Sequence, residues 1–322
     1  MEEGMKVVII DNLSNSNREV IDGITEITGS PPLFEEVDLR NRQDTFGVFE
    51  KYRDIEAIVH FAALKAVGES VEKPLEYYEN NLLSMIHLLE AMRKYRVFSM
   101  VFSSSCTVYG EPDTLPVTES APIKKANSPY GNTKQICEQM MQDMVQTTRE
   151  LKLISLRYFN PIGAHPSARI GELPLGVPNN LVPFITQTVI GIRDYLRVFG
   201  DDYHTPDGTA IRDYINVVDL ARAHVIAIRR LLNQKQKSPF EVFNLGTGTG
   251  LSVMEIIRAF EKVTGEKLNY RIVDRREGDV EQVYADTSYA NRELGWKAEK
   301  GIEETLLSAW NWEKNLRSKK IS

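Results

Sequence analysis

The sequence predicts an α/β fold built on a parallel sheet, and three observations carry that expectation. Short apolar, β-branched runs recur along the chain, each suited to a buried strand: VVII after Lys6, AIVHFAALK at 57–65, Phe98–Phe102 and Leu151–Phe159. Between them lie stretches with helical spacing, such as the apolar stripe at 82, 85, 86, 88, 89 and 92 within Asn81–Arg96. Polar residues able to do chemistry follow the strands, and in an open α/β sheet ligands bind at the carboxyl ends of strands.

Composition narrows the class of protein. With 322 residues, 42% of them hydrophobic, the chain suits one two-lobed enzyme with a large core. A formal charge of −6 argues against a general nucleic-acid binder, so an anionic substrate has to be held by local arginines. No apolar run approaches the roughly 20 residues of a membrane span, and no basic region followed by an apolar core opens the chain, so no membrane partner and a cytoplasmic location are expected. Cys106 and Cys137 form neither a disulfide framework nor a metal-ligand cluster; free buried thiols and no metal are the expectation.

In chain order, Lys6–Ile10 ends at Asp11-Asn12, a carboxylate placed either to accept hydrogen bonds from a ribose or simply to form an Asx turn. Leu33–Leu39 (LFEEVDL) is a strand with Asp38 at its end. Ala57–Lys65 is a buried strand whose small Ala62 and Ala63 allow a ligand close to the backbone, with Lys65 beyond to meet phosphate or sugar; His60 within it reads as a core histidine. Asn80 and Asn81 are cap candidates for the helix that follows.

Phe98–Phe102 then releases Ser103, Ser104 and Ser105 at its carboxyl end, and SPYGNTK opens the next helix. There Tyr130 and Lys134 stand four apart, which places a phenol and an ammonium on one helical face. Such a spacing is commonplace in helices. Following a strand that ends in serines it suggests a base, because a neighbouring cation brings a tyrosine's pKa of about 10 towards the working range.

Leu151–Phe159 is a further strand, and Tyr158-Phe159-Asn160-Pro161 leaves its end, with Pro161 expected to stop the ladder. From Ile162 to Ile211 glycine, proline and short polar turns mark a second lobe, in which Asn179-Asn180-Leu181 reads as an N-cap before a helix. Arg212 and the pair Arg275-Arg276 supply guanidinium forks for phosphate. Val217–Leu232 is a helix and Phe240–Leu245 a strand; Gly246-Thr-Gly248-Thr-Gly250 lacks both dinucleotide and Walker spacing and reads as a tight turn into a helix near Ser252. Trp296, Trp310 and Trp312 belong to a turn and an amphipathic C-terminal helix whose aromatics are core.

The stretches FSSSCTVYG at 102–110 and SPYGNTK at 128–134 resemble the extended short-chain dehydrogenase/reductases, and their wording looks like the UDP-glucose 4-epimerases within them. IRDYINVVDLA at 211–221, with Asn216 where a common form has His, and RREGD at 275–279 extend the resemblance from about Met5 to Trp312. It implies a Rossmann-type doubly wound parallel sheet with a smaller α/β substrate lobe. Residues 1–160 plus about 217–246 would form the NAD-binding domain, and about 161–216 plus 247–322 the nucleotide-sugar lobe.

The implied activity is interconversion of UDP-glucose and UDP-galactose with tightly held NAD: oxidation at C4, rotation of the keto sugar, and return of the hydride. Catalysis falls to Tyr130, Lys134 and Ser105, with Lys134 lowering the pKa of Tyr130. Cofactor contacts fall to Asp11, Asn12, Asp38, Leu39, Phe61, Ala62, Lys65, Asn80, Ser103, Tyr130, Lys134 and Phe159. Substrate contacts fall to Lys65, Ser105, Thr107, Tyr130, Asn160, Asn180, Arg212, Arg276, Asp279 and Val283; a small aliphatic at 283 leaves room for N-acetylated UDP-sugars as well. A homodimer is expected from the family alone.

One departure stands out. The family's first strand, its Gly-x-x-Gly-x-x-Gly loop and most of its first helix would precede Met5, and no such glycine pattern occurs in the first half of the chain. Loss of a middle strand leaves ladder groups unpaired or makes the sheet close differently. A start placed too late, a fragment, or a protein that no longer binds the cofactor normally would each account for it; the first fits best, since everything downstream reads as a complete enzyme. Two rival functions remain. A 4,6-dehydratase needs an Asp-Glu pair beside its active-site Thr, and Cys106-Thr107-Val108 has none; a catalytically silent remnant is suggested by the N-terminus alone.

Overall fold

A computed structural model describes residues 1–276 and 279–321, so Glu277 and Gly278 of the RREGD motif lie outside the described residues. The first half alternates strand and helix: β1 (Val8–Asp11), α1 (Glu19–Thr28), β2 (Leu33–Glu36), α2 (Arg42–Lys51), β3 (Ile58–His60), α3 (Val67–Glu72), α4 (Pro74–Tyr95), β4 (Ser99–Ser105), α5 (Pro129–Thr147) and β5 (Lys152–Tyr158). There follow β6 (Asn160–Ile162), α6 (Leu181–Val189), β7 (Leu196–Phe199), β8 (Ile211–Arg212), β9 (Tyr214–Asn216), α7 (Val217–Leu232) and β10 (Phe240–Leu245). The chain closes with β11 (Leu251–Ser252), α8 (Val253–Thr264), β12 (Tyr270–Val273), β13 (Gln282–Val283) and α9 (Ile302–Ile321).

Strands β10, β5, β4 and β3 form one parallel sheet in that order, in which Ser103, Ser104 and Ser105 lie opposite Leu156, Arg157 and Tyr158. Both faces are covered. Met100 and Phe102 of β4 pack with Phe49, Met85, Leu88 and Met141 under α2, α4 and α5, while the intervening Val101 packs with Ile154, Leu220, Ala223 and Phe243 under α7. The two-residue period of a strand sends alternate side chains to opposite faces, which is why these runs are continuously apolar. A third cluster, with Ile162, Val182, Ile185, Val198, Ile257, Phe260 and Trp310, joins β6, α6, β7, α8 and α9. Ala290, Leu294 and Trp296 instead pack in the cluster under α7.

The N-terminal strands form a separate parallel pair, β1 with β2. Among the described residues β1 pairs with nothing else, and β3 pairs with β4 alone. The ladder is therefore left open between β1 and β3 rather than closed differently, although Ile10 and Ile58 pack on the same cluster.

Three local expectations are corrected. Helix α4 starts at Pro74, whose missing N–H costs nothing in a first turn, so Asn80 and Asn81 are helix-interior residues and not caps. Pro161 does not end pairing: it lies in β6, opposite Ile215 of β9, where Asn160 N–H donates to Asp213 O at 2.9 Å. In a parallel ladder only alternate N–H groups face a given partner, so a proline is tolerated at the intervening position of a two-stranded pair. Both cysteines are free thiols, but Cys106 is only half-buried.

Candidate active site

The carboxyl ends of β3, β4 and β5 converge with the amino end of α5. Ser128 caps that helix, accepting from Gly131 N–H at 3.1 Å, and Pro129 begins it. This start fixes the phase of the helix, and Tyr130 and Lys134 both turn inward, 8% and 3% exposed. Lys134 Nζ donates to Ser103 O at 2.7 Å and lies 4.7 Å from the centre of the Phe102 ring. The Ser105 hydroxyl accepts from Thr107 N–H at 3.2 Å, and Ser103 shares a short hydrogen bond with the Tyr158 hydroxyl.

The electrostatics differ from the expectation that Lys134 draws the tyrosine down. Burial, with Tyr158 adding to it, pushes the Tyr130 phenol above its usual range, and only the Ser105 hydroxyl pulls noticeably the other way. Burial brings the Lys134 ammonium down to about 8, with Cys137 and Glu138 opposing. The ammonium lies 5.8 Å from the centre of the Tyr130 ring, bonded to a carbonyl.

The proposed cofactor residues fall into two groups. At the end of β1, Asp11 forms the Asx turn, accepting from Leu13 N–H and Ser16 Oγ at 2.7 Å each, and Asn12 donates to Asp38 at 3.2 Å. Arg40 grips Asp38 and holds its carboxyl down at about 2. Leu39 is buried, its carbonyl within hydrogen-bond reach of His87 and Thr45. At the end of β3, Phe61 is 55% exposed with its ring 4.6 Å from His224, and Ala62 beside it is also exposed. His60 is buried and neutral, burial lowering its pKa to about 3. Asn80 donates to Asn81 at 3.0 Å; buried Asn81 bonds both backbone groups of Leu64 and Thr133 Oγ1, a tie between the β3 loop and α5.

Phe159 is buried against Val108, Tyr109, Val117 and Ala285, with Cys106 and Val283 at the edge of this cluster. Thr107 Oγ1 is buried without a partner among the described residues. Asn160 is half-buried. Val283 of β13 lies directly opposite Arg212 of β8. Arg212 pairs with Asp279 and donates to Ile211 O at 2.8 Å. Nearby, the Arg275 guanidinium stacks 4.0 Å from the Tyr203 ring centre and Arg276 lies 4.5 Å from that of Phe199. Asn180 makes no side-chain cap on α6; its Nδ2 donates to Glu172 Oε1 at 2.5 Å, and Lys65 meets the same carboxylate at 3.5 Å.

The arrangement thus gathers a buried phenol, ammonium and serine hydroxyl at the end of β4, and separately a cluster of guanidinium groups and aromatic rings on the second lobe. A dinucleotide fits this donor set at its two ends, with carboxylates following β1 and β2 for one ribose and the Lys134 ammonium for the other; the described residues hold no Gly-x-x-Gly-x-x-Gly turn for its diphosphate. The glycines at 246–250 do not replace it. Their amides are taken by the buried Asp213 carboxylate, which accepts from Thr247 N–H at 2.8 Å and Gly248 N–H at 3.1 Å. Sequence reading gave no role to Asp213, Tyr203, Glu172 and Glu138; Asp213 stood inside the IRDYINVVDLA motif and Glu138 one turn beyond Lys134, while Tyr203 and Glu172 carried no signal.

The model of the GDP-mannose 4,6 dehydratase family matches residues 1–308. The chain is similar to the UDP-glucose 4-epimerase of Bacillus subtilis, 50% identical over 313 residues covering 97% of this chain and 91% of that protein. A crystal structure of the enzyme of that name from Stenotrophomonas maltophila, with bound NAD and formylated UDP-arabinopyranose, superposes with a TM-score of 0.94 at 46% identity, over 99% of this chain and 93% of that one. That from Bifidobacterium longum, in complex with NAD+ and UDP, gives 0.92 at 44% identity, over 97% and 92%.

Proposed function

The chain belongs to the UDP-glucose 4-epimerase family of extended short-chain dehydrogenase/reductases, and from that premise we propose how its own residues carry out the NAD-dependent interconversion of UDP-glucose and UDP-galactose. The observation that carries the reading is the convergence of Tyr130, Lys134 and the 103–105 serines at the end of β4, with Arg212 opposite Val283, which packs on the cluster that buries Phe159.

Tyr130 Oη takes the proton of the sugar 4-hydroxyl and gives it back to the same oxygen once the 4-keto sugar has turned its other face to the hydrogen returning to C4. Ser105 orients that hydroxyl and eases ionisation of the phenol. Lys134 spends one N–H on Ser103 O and keeps two for the hydroxyls of the nicotinamide ribose. NAD, when bound, supplies the electron-pair acceptor for the hydrogen leaving C4. Arg212 and Arg276 hold the diphosphate, Phe159 and Asn160 border the sugar, and Thr107 offers it a free hydroxyl. Anchoring the nucleotide away from the reacting carbon lets the sugar alone turn, which is binding energy used for orientation.

Residues 1–160 with 217–246 serve the cofactor and the remainder the nucleotide sugar. Val283, small and beside Arg212, extends the substrates to N-acetylated UDP-sugars. No helix among the described residues is long and apolar enough to cross a membrane, and a cytoplasmic homodimer completes the reading. The test supplies UDP-galactose and NAD to the purified chain and follows UDP-glucose with a coupled dehydrogenase. Turnover that Tyr130→Phe abolishes supports the assignment; equal turnover by that variant refutes it.

A further inference from the structure

We propose that Glu138, locked by Arg157, is a positioning residue of this reaction, fixing the catalytic helix on strand β4 so that Lys134 and Tyr130 meet the serine triplet in one register. The proposal rests on the epimerase reading above. Tyr130, Lys134 and Glu138 recur at four-residue intervals on α5 and so form one stripe along its buried face. The stripe reads β4 residue by residue. Glu138 accepts from Ser104 Oγ at 2.6 Å, Lys134 donates to the carbonyl of Ser103, and the Ser105 hydroxyl draws the Tyr130 phenol down against its burial.

Glu138 is itself fixed from β5. Its Oε1 also accepts from Ser155 Oγ at 2.6 Å and Arg157 Nε at 2.9 Å, and Arg157 Nη2 meets its Oε2. Both side chains of the pair are 5% exposed. The guanidinium then stacks 4.8 Å from the Tyr109 ring centre, and the Tyr109 hydroxyl donates to Asn244 Oδ1 at 2.6 Å. A two-pronged guanidinium and two hydroxyls leave this carboxylate one orientation, so the helix that bears it cannot slide or roll on the sheet. A reacting group displaced by an ångström loses about a hundredfold in rate.

Glu138 also supplies charge. The groups facing Lys134 are Tyr130, Cys137 and Glu138 on its own helix, His60 from β3, the Ser103 carbonyl and Phe102 ring from β4, and Tyr158 from β5. Burial keeps the Cys137 thiol and the Tyr158 phenol protonated, each pushed up to about 12, and keeps His60 neutral. The Glu138 carboxylate is the anion among them, one turn from an ammonium that burial is drawing towards neutrality.

Two variants of the full chain, assayed with NAD and UDP-galactose, test the proposal: Glu138→Gln, which removes the charge, and Ser104→Ala, which keeps the charge and removes one tether. Expected for Glu138→Gln are a kcat lower by about 10-fold or more at unchanged KM and an alkaline limb of the kcat profile moved to lower pH. Ser104→Ala should lower kcat at least about threefold with the limb where it was. Wild-type kcat and limb in folded Glu138→Gln overturn the proposal, as does a loss confined to melting temperature in both. Should Glu138→Gln not fold, Ser104→Ala decides: unchanged kcat overturns, reduced kcat at unchanged KM supports. A wild-type chain without turnover would instead refute the epimerase reading.

Discussion

Replacing Asp213 by Asn should destabilise the protein by an amount the structure allows one to count. Asp213 is wholly buried. Its Oδ1 accepts from Thr247 N–H at 2.8 Å and Thr247 Oγ1 at 2.7 Å, and its Oδ2 from Gly248 N–H at 3.1 Å and Ala285 N–H at 3.2 Å. An amide offers one oxygen. Its least costly orientation keeps that oxygen on the two backbone donors of Gly248 and Ala285 and turns the NH₂ towards Thr247, whose hydroxyl can rotate to accept. One buried N–H, that of Thr247, is then left without an acceptor, at about 1–3 kcal/mol, and the surviving bonds lose the extra strength a charged acceptor gives. The sum is roughly 2–4 kcal/mol. At about 2–4 °C per kcal/mol for a chain above 150 residues, the melting temperature falls by roughly 4–16 °C. Because Ala285 follows β13, which pairs with Arg212, KM for the UDP-sugar should rise more than kcat falls. Differential scanning fluorimetry and the coupled assay read both. A variant melting within about 1 °C of wild type would refute the four-donor cage.

Gly246→Ala probes the same cage from outside: a Cβ there would sit 2.3 Å from Asp213 Oδ2, so the variant should melt lower, and its loss should not add to that of Asp213→Asn. Tyr130→Phe should lower kcat by about 10²–10⁴-fold while the melting temperature holds. Arg212→Ala should raise KM for the UDP-sugar by about 10–100-fold, the worth of hydrogen bonds to a charged group. If reaction needs Lys134 protonated, kcat falls as pH rises through about 8; the sign for stability is opposite. A lysine depressed in the folded state binds fewer protons than in the unfolded chain between about 8 and its model value of 10.5, so stability rises with pH across that window, and urea titrations at both ends check it.

The legible parts of the chain were those where one short stretch decides the outcome. Val217–Leu232 and Phe240–Leu245 fall where the sequence puts them, because an amphipathic stripe and a β-branched run are local properties. Tyr130 and Lys134 could be placed on one face for the same reason. What misled was context. The helix start at Pro74 was hidden by the polar Glu76 and Glu79 in its opening turns, and Pro161 looked like a terminator only if its N–H was assumed to be needed. Asn180 read as a cap, but its amide goes to a carboxylate eight residues back, a contact that no local rule foresees.

The glycine-rich stretch at 246–250 shows why motif spacing had to be weighed against charge. A run of backbone amides in tight turns binds an anion whichever anion arrives. Here the anion comes from the chain itself: Asp213, adjacent to the arginine proposed to hold the substrate diphosphate, fills the amides of Thr247 and Gly248. That internal anion ties β8, the 246–250 turn and Ala285 into one unit, beside which Arg212 pairs with Asp279 and Arg275 with Asp202. The arginine proposed for the diphosphate thus stands next to a braced turn, and a bound diphosphate would compete with Asp279 for it. A chain of net charge −6 can in this way gather guanidinium groups on one lobe, and sequence composition alone carries no trace of that placement.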